Sequence, residues 1–251
     1  MSKRTGLTIL LLGVAVAASP AHAGASPSPP FCQSAAAKLK GDGDLAQAVR
    51  TAFGAPTFTN EEKCVYPLQT LRYADVDVLV TENLDPQQAN HGSEGDLSAV
   101  ALKRIPGGFK RLRSFEAFGQ TGSFGAVASI APIAIGGDDG IAIEAGDRWQ
   151  GYTVVTLELY AFRRQGLVRL DSDAAQLYLM SDNEGAETDA AKVVTIDSAW
   201  SLSAGELTID YRVSDARGKR QSRAVWTVGE TQLTLKSGAI PSEMTRAVGS
   251  E

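Results

Sequence analysis

From Phe58 to Leu235, apolar residues recur at every second position in short segments, and glycine-rich turns separate these segments. Successive side chains of a β-strand point to opposite faces, so this period predicts strands that bury one face. The clearest segment is 206–213, whose apolar members are Leu207, Ile209, Tyr211 and Val213. Turn sequences centred near Gly107, Gly166 and Gly218 indicate hairpins between such segments. We therefore predict a mainly β fold, an antiparallel hairpin meander or sandwich.

A short N-terminal segment has the helical period instead. Four apolar residues recur at intervals of three or four positions, so they share one face of a helix. They are Leu45, Ala48, Val49 and Ala52. Asp44 is expected as the N-cap, and Gly54 with Pro56 is typical of a helix end. The pattern predicts a short amphipathic α-helix that covers part of a sheet.

The chain divides into five predicted parts. These are a signal peptide (1–23), a flexible tether (24–31), a helix plus antiparallel β unit (32–118), a second antiparallel β unit (119–238) and a loose tail (239–251). Residues 32–238 alternatively form one domain. The three hairpin turns lie 59 and 52 residues apart, a spacing that fits degenerate internal repeats as well as an ordinary meander.

The first residues indicate export. Lys3 and Arg4 precede a dozen apolar residues, and Ala21-His22-Ala23 has the pattern of a signal-peptidase site. We predict cleavage after Ala23 and a periplasmic or secreted protein. The alternative, a membrane anchor, is disfavoured because the apolar run is shorter than the roughly 20 residues that a spanning helix needs. No later segment has membrane length, so the mature chain is not expected to span a membrane.

An exported chain meets an oxidising compartment, and both cysteines lie after the predicted cleavage site. We therefore predict a disulfide between Cys32 and Cys64. The alternative is a reactive thiol or a thiolate metal ligand. Cleavage would also change the formal net charge from −5 to −7, because it removes Lys3 and Arg4. A body of that sign is not expected to bind nucleic acid in general.

Histidine scarcity excludes several kinds of catalytic site. His22 would leave with the signal peptide, so His91 would be the only histidine of the mature chain. A zinc site with two or three imidazoles from one subunit is then excluded, and a serine or cysteine nucleophile would depend on His91 alone. No metal and no cofactor are predicted. Carboxylate pairs such as Asp138 with Asp139 fit acid–base chemistry in principle, although solvated loop acids are the expected state.

Few aromatic residues lie in turns. Trp149 and Tyr152 flank Gln150-Gly151, where a loop-borne indole offers a flat face for a sugar or peptide. For Trp149, packing at the edge of the core is the favoured interpretation.

Basic residues are concentrated in three windows around the predicted hairpin turns. The windows contain 12 of the 22 basic residues of the mature chain and no acid. They are 103–113 (Lys103, Arg104, Lys110, Arg111, Arg113), 163–169 (Arg163, Arg164, Arg169) and 217–223 (Arg217, Lys219, Arg220, Arg223). One explanation is that long cations protect exposed hairpins from edge pairing. The other is that the hairpin tips converge and bind phosphate or carboxylate groups.

From these patterns we expect a non-enzymatic, exported binding or interaction protein. Its partner would be an anionic envelope molecule or an acidic protein, engaged through the basic hairpin tips. A carboxylate-dependent hydrolase of a cell-envelope sugar is the first alternative, and it predicts two acids in a cleft beside Trp149 or Tyr152. A structural envelope component is the second alternative, and it predicts large apolar patches.

Overall fold

The computed structural model describes residues 38–54, 64–84, 95–121, 127–171 and 177–246 of the chain. The predicted signal peptide, the tether, Cys32 and His91 lie outside these residues. Of Cys64 and Trp149 only the backbone is described. The disulfide therefore stays a prediction.

The described residues form two antiparallel sheets, which confirms the predicted mainly β fold. The first sheet has four strands in the order of the chain, β1-β2-β3-β4. They are β1 (Cys64–Arg72), β2 (Asp77–Leu84), β3 (Asp96–Ile105) and β4 (Gly108–Gln120). Each strand pairs with the next in antiparallel orientation.

The second sheet has nine strands. They are β5 (Val127–Ile135), β6 (Asp138–Trp149), β7 (Tyr152–Arg163), β8 (Gly166–Arg169), β9 (Leu177–Asp182), β10 (Thr195–Ser203), β11 (Glu206–Asp215), β12 (Gly218–Val228) and β13 (Leu233–Gly238). Their order is β13-β12-β11-β10-β9-β7-β6-β5, and β8 pairs with the end of β7. A 3-10 turn (Ala190–Lys192) precedes β10, and a short helix α2 (Ser242–Arg246) follows β13.

The predicted helix is α1 (Gly43–Phe53). Its N-cap is Asp42 rather than Asp44, because the Asp42 side chain accepts a hydrogen bond of 2.9 Å from the Leu45 amide. Gly54 ends the helix in the left-handed conformation, with φ of 78°. The buried face of α1 packs against the first sheet on Leu79, Val100, Leu102 and Phe109. We call this side of the first sheet its outer face.

The inner face of the first sheet packs against the second sheet. Val78, Val80 and Leu97 contact a cluster that contains Ile141, Ile143 and Tyr160 of β6 and β7. The opposite side of β6 and β7 belongs to a third cluster, which extends to Trp226 of β12 and Leu233 of β13. Since strands from both ends of the second sheet share this cluster, the second sheet is curved around it.

Two elements add to what the sequence predicts. Residues 195–203 form β10, so Trp200 lies within a strand and its Nε1 donates a hydrogen bond of 2.8 Å to Glu144 Oε1. Beyond β13, the predicted loose tail contains α2, whose Met244 is only 1% exposed. No helix among the described residues is long and apolar enough to cross a membrane.

Candidate anion-binding surface

The three basic windows occupy three hairpins of the structure. The first lies on the ends of β3 and β4 next to their turn, the second around the β7–β8 turn, and the third around the β11–β12 turn. The structure brings the first two together and separates the third from them.

The third window lies at the opposite end of the second sheet. Asp182 of β9 is opposite both Thr153, near the start of β7, and Thr195, near the start of β10. Thr195 is in turn opposite Ser214, which precedes the β11–β12 turn. The β7–β8 turn instead follows Arg163 at the far end of β7, 12 residues and roughly 36 Å along the strand.

Acids neutralise most of the third window. Arg217 and Arg220 each contact both Asp215 and Glu243, at distances of 2.5 to 2.8 Å. The hydrogen bond from Arg217 lowers the pKa of Asp215 to about 2. Arg223 pairs with Asp210 across β11 and β12. Lys219 is exposed and has no partner among the residues described.

Arg113 of β4 connects the first window to the second. Its Nη1 donates to the carbonyl oxygen of Arg164 at 3.4 Å and its Nη2 to that of Gln165 at 2.9 Å. The guanidinium also lies over the Phe115 ring, 4.9 Å from its centroid. Phe115 packs against Phe162 of β7, with 5.5 Å between ring centroids. These contacts fix the β7–β8 turn beside β4.

Two lysines face each other in the first window. Lys103 of β3 is directly opposite Lys110 of β4, and both are exposed. Within the described ranges neither contacts a carboxylate, and the same holds for Arg164 in the β7–β8 turn and for Arg113. Like charges directly opposite on neighbouring strands destabilise a sheet. We call Lys103, Lys110, Arg113 and Arg164 the cationic patch.

The patch lies on the side of the first sheet that faces the second sheet. Lys103 follows Ala99 by four residues along β3, so their side chains share a face, and Ala99 belongs to the cluster between the sheets. Arg113 is opposite Ala101 on this same face. The short β8 and the β7–β8 turn leave the ends of β3 and β4 exposed next to them.

The other predicted residues of these two windows are held elsewhere. Arg104 lies on the outer face, 2.5 Å from Asp77 and 3.4 Å from Asp44. Arg163 pairs with Asp138 of the β5–β6 hairpin. Arg111 donates to the Ala52 carbonyl oxygen at the end of α1.

Trp149 and Tyr152 do not join the cationic patch. They pair through their backbones at the β6–β7 turn, which is at the start of β7. Tyr152 is 37% exposed. A stacking role for these aromatics therefore stays a separate prediction.

Glu158 and Asp171 form a pair of buried acids that the sequence did not single out. Arg169 lies 3.1 Å from the first and 2.8 Å from the second. Tyr160 donates a hydrogen bond of 2.6 Å to Glu158, and Asp171 accepts another from the Leu159 amide. Burial raises the pKa of Asp171, and the hydrogen bond from Arg169 opposes this shift. The two carboxylates thus share the Arg169 cation and accept hydrogen bonds, as in a structural ion-pair network.

Sequence reasoning missed Phe115 and Gln165, which position Arg113. A signal was present, since Phe115 alternates with Arg113 on one strand face and Gln165 precedes a turn glycine. Among the described residues, no group of three or more His, Cys, Asp or Glu side chains is placed to hold a metal ion. No family model, curated protein or solved structure matches this chain.

Proposed function

We propose that the protein is an exported, non-enzymatic binding protein whose cationic patch engages an anionic component of the cell envelope through its phosphate groups. The observation that carries this proposal is the opposition of Lys103 and Lys110 without a carboxylate among the described residues. Most arginines of the other hairpins are paired with acids at this protein's surface. A chain of net negative charge that leaves these cations unpaired retains a repulsion that an anionic partner would relieve.

Arg113 supports the proposal through the geometry of the patch. Because it ties the β7–β8 turn to β4, the backbone of Arg164 is held beside the strand that carries Lys110. Because the two hairpins are already joined, their backbones lose little conformational freedom when a polyanion binds. Arginine also presents paired N–H groups that match two phosphate oxygens.

The site of action follows from the first residues of the chain. We propose export through the signal peptide, cleavage after Ala23, and a disulfide between Cys32 and Cys64 in an oxidising compartment. Intact-mass measurement of exported protein, with and without reduction, tests all three features. A mass that retains residues 1–23, or free thiols in the exported protein, would contradict this part of the proposal.

Binding to vesicles tests the function. The mature protein should sediment with vesicles that contain phosphatidylglycerol and remain free of neutral phosphatidylcholine vesicles. The double variant Lys103→Glu/Lys110→Glu should reduce the bound fraction at least about tenfold, since each exposed cation near an anionic surface contributes about 1 kcal/mol. Lys219→Glu is the matched control, because Lys219 is an equally unpaired lysine on the distant third hairpin.

Salt separates an electrostatic interaction from other modes of binding. Raising the ionic strength from 0.05 to 0.5 M should release the wild-type protein, because exposed charges are screened over about 4 Å at the higher value. Equal binding by the double variant, or loss of binding in Lys219→Glu alone, would refute the cationic patch as the site. Binding to an acidic protein but to neither type of vesicle would favour the alternative partner.

A further inference from the structure

A groove lies on the outer face of the first sheet, next to the end of α1. The helix covers the half of this face that contains Leu79, Val100 and Phe109. The other half is open and forms a groove of about 450 Å³. Its polar lining includes Asn83, Asp96, Ser98, Arg111, Ser114 and Glu116. This is the size of a small-molecule site, and it lies on the opposite side of the first sheet from the cationic patch.

Ser98 offers a hydrogen-bond donor to the groove. Its Oγ accepts hydrogen bonds from Asn83 Nδ2 at 2.9 Å and from the Ala117 amide at 3.1 Å. A hydroxyl has two acceptor positions and one proton. Both acceptor positions are thus occupied, and the proton has no acceptor among the residues described. The hydroxyl is left as a donor.

The backbone at Ala117 is strained in this arrangement. Ala117 has φ of 47°, in the left-handed region that alanine rarely adopts. It lies within a bulge of β4, where the pairing register with β3 shifts between Leu97 and Ala99. The bulge turns the Ala117 amide toward Ser98. Strain of this kind is characteristic of functional sites.

Arg111 supplies positive charge in the same groove. Its Nη1 donates to the Ala52 carbonyl oxygen at 3.0 Å and its Nη2 to Ser114 Oγ at 2.6 Å. These two bonds fix the guanidinium, and a guanidinium has five N–H groups in all. The remaining N–H groups and the Ser98 hydroxyl are donors suited to a carboxylate.

Acids lie further along the groove. Glu116 follows Ser114 by two residues on β4, and Asp96 precedes Ser98 by two residues on β3. Both are exposed, and neither makes an ion pair or side-chain hydrogen bond within the described ranges. Two strand residues correspond to about 7 Å. The groove therefore presents a fixed cation and, a short distance away, free carboxylates.

We propose that this groove binds a small zwitterion, an amino acid or short peptide whose free carboxylate contacts Arg111 and Ser98 and whose free ammonium group contacts Glu116. This inference is independent of the cationic patch. A ligand with only one of the two charges would leave either the guanidinium or the carboxylates without a partner. Selectivity for both free termini is the property that sets this site apart from a general polar surface.

Calorimetric titration with alanine peptides tests the proposal. The probes are Ala, Ala-Ala and Ala-Ala-Ala, which separate an amino-acid ligand from a peptide ligand, together with acetyl-Ala-Ala and Ala-Ala-amide. We expect saturable binding of at least one unblocked probe. Removing either charge should weaken binding at least about tenfold, because hydrogen bonds to charged groups contribute more than neutral ones.

Two variants assign the ends of the ligand. Glu116→Gln should bind Ala-Ala and acetyl-Ala-Ala equally, and Arg111→Gln should bind Ala-Ala and Ala-Ala-amide equally. Glu184→Gln, at an exposed acid outside the groove, is the control and should keep both preferences. Because Arg111 also holds the end of α1, the decisive variant is Glu116→Gln, whose side chain has no described partner. No saturable binding of any unblocked probe, equal binding of blocked and unblocked peptides, or an unchanged preference in Glu116→Gln would overturn the proposal.

Discussion

Arg113 of β4 donates a hydrogen bond through Nη2 to the carbonyl oxygen of Gln165, 2.9 Å away in the turn between β7 and β8. This contact joins the first sheet to the second at the place where β4 lies alongside β8. The guanidinium of Arg113 lies over Phe115, which packs against the cluster between the sheets. One side chain thus connects two hairpins that are far apart in the chain.

Replacing Arg113 should weaken the junction between the sheets. In Arg113→Gln two hydrogen bonds to backbone carbonyls and the contact with Phe115 are lost, so we expect the free energy of unfolding to fall by about 1–2 kcal/mol. Urea denaturation measures this change. Arg164→Gln is the control and should alter stability by less than about 0.5 kcal/mol, because only the backbone of Arg164 takes part. Equal stability of the two variants would contradict the role of Arg113.

Because Lys103 and Lys110 repel each other, a substitution that removes this repulsion should stabilise the fold and weaken binding to anionic vesicles. Lys110→Glu places an acid directly opposite Lys103 and replaces repulsion with attraction, so stability should rise by about 0.5–1 kcal/mol. The same variant should bind phosphatidylglycerol vesicles more weakly. Lys219→Glu on the third hairpin should give no such gain in stability, because the residue opposite is the uncharged Ser214. Thermal denaturation measures the change in stability, and vesicle sedimentation measures the change in binding. If Lys110→Glu is more stable but binds equally well, the lysines serve only to prevent the exposed hairpin from pairing with another strand edge.

Glu82 of β2 is a buried acid at the end of the first sheet. Its Oε1 accepts a hydrogen bond of 3.1 Å from Thr121 Oγ1, and its Oε2 has no partner among the described residues. The Gly95 amide donates to Thr121 Oγ1 at 2.8 Å, so the three residues connect the ends of β2, β3 and β4. Burial raises the pKa of Glu82 to about 7.

This shift predicts a pH dependence of stability. The folded protein keeps the Glu82 proton to a higher pH than the unfolded chain, where the pKa is 4.5, and so binds more protons between pH 4.5 and 7. The contribution of Glu82 is therefore most favourable below pH 4.5 and is lost as the pH rises to 7. Relative to Glu82→Gln, the wild type should lose on the order of 3 kcal/mol across this window. Urea denaturation of wild type and Glu82→Gln at a series of pH values measures the difference, and a gap that stays constant with pH would contradict the shift.

The C-terminal helix should contribute to stability. Met244 of α2 is 1% exposed, and Glu243 beside it accepts hydrogen bonds from Arg217 and Arg220. Met244→Ala should lower the free energy of unfolding by about 2 kcal/mol or more. Leu235→Ala, at a leucine 49% exposed on β13, should cost less than about 1 kcal/mol. A similar cost for both variants in chemical denaturation would indicate that α2 does not pack in solution.

The parts of the fold that the sequence predicts are those with a strong local pattern. Leu207, Ile209, Tyr211 and Val213 alternate without interruption, and each lies in the third cluster as the period requires. β10 was missed because its sequence, Thr-Ile-Asp-Ser-Ala-Trp-Ser-Leu-Ser, has small and polar residues on its less buried side. The short α2 was missed because it is held by Met244 burial and by ion pairs from another hairpin, which no local pattern reveals.

Each candidate site likewise combines features that are visible in the sequence with features that depend on tertiary contacts. The basic windows are visible in the sequence, but which of them meet depends on the curvature of the second sheet and on a single contact of Arg113. The groove depends on a bulge at Ala117 and on how far α1 extends over the outer face. Ser98 interrupts the otherwise apolar run from Leu97 to Leu102, and that interruption is the sequence signal by which the groove is recognisable.

Paramagnetic mapping on a membrane surface tests the cationic patch most directly. Vesicles of phosphatidylglycerol that carry a nitroxide at the lipid headgroup would be added to isotopically labelled mature protein, and loss of amide signals would be recorded along the chain. If Lys103, Lys110 and Arg164 meet the anionic surface together, signals at 103–110 and 164–166 should broaden first while those at 216–220 persist. Broadening centred on 216–220, or equal broadening of all three hairpins, would contradict the account.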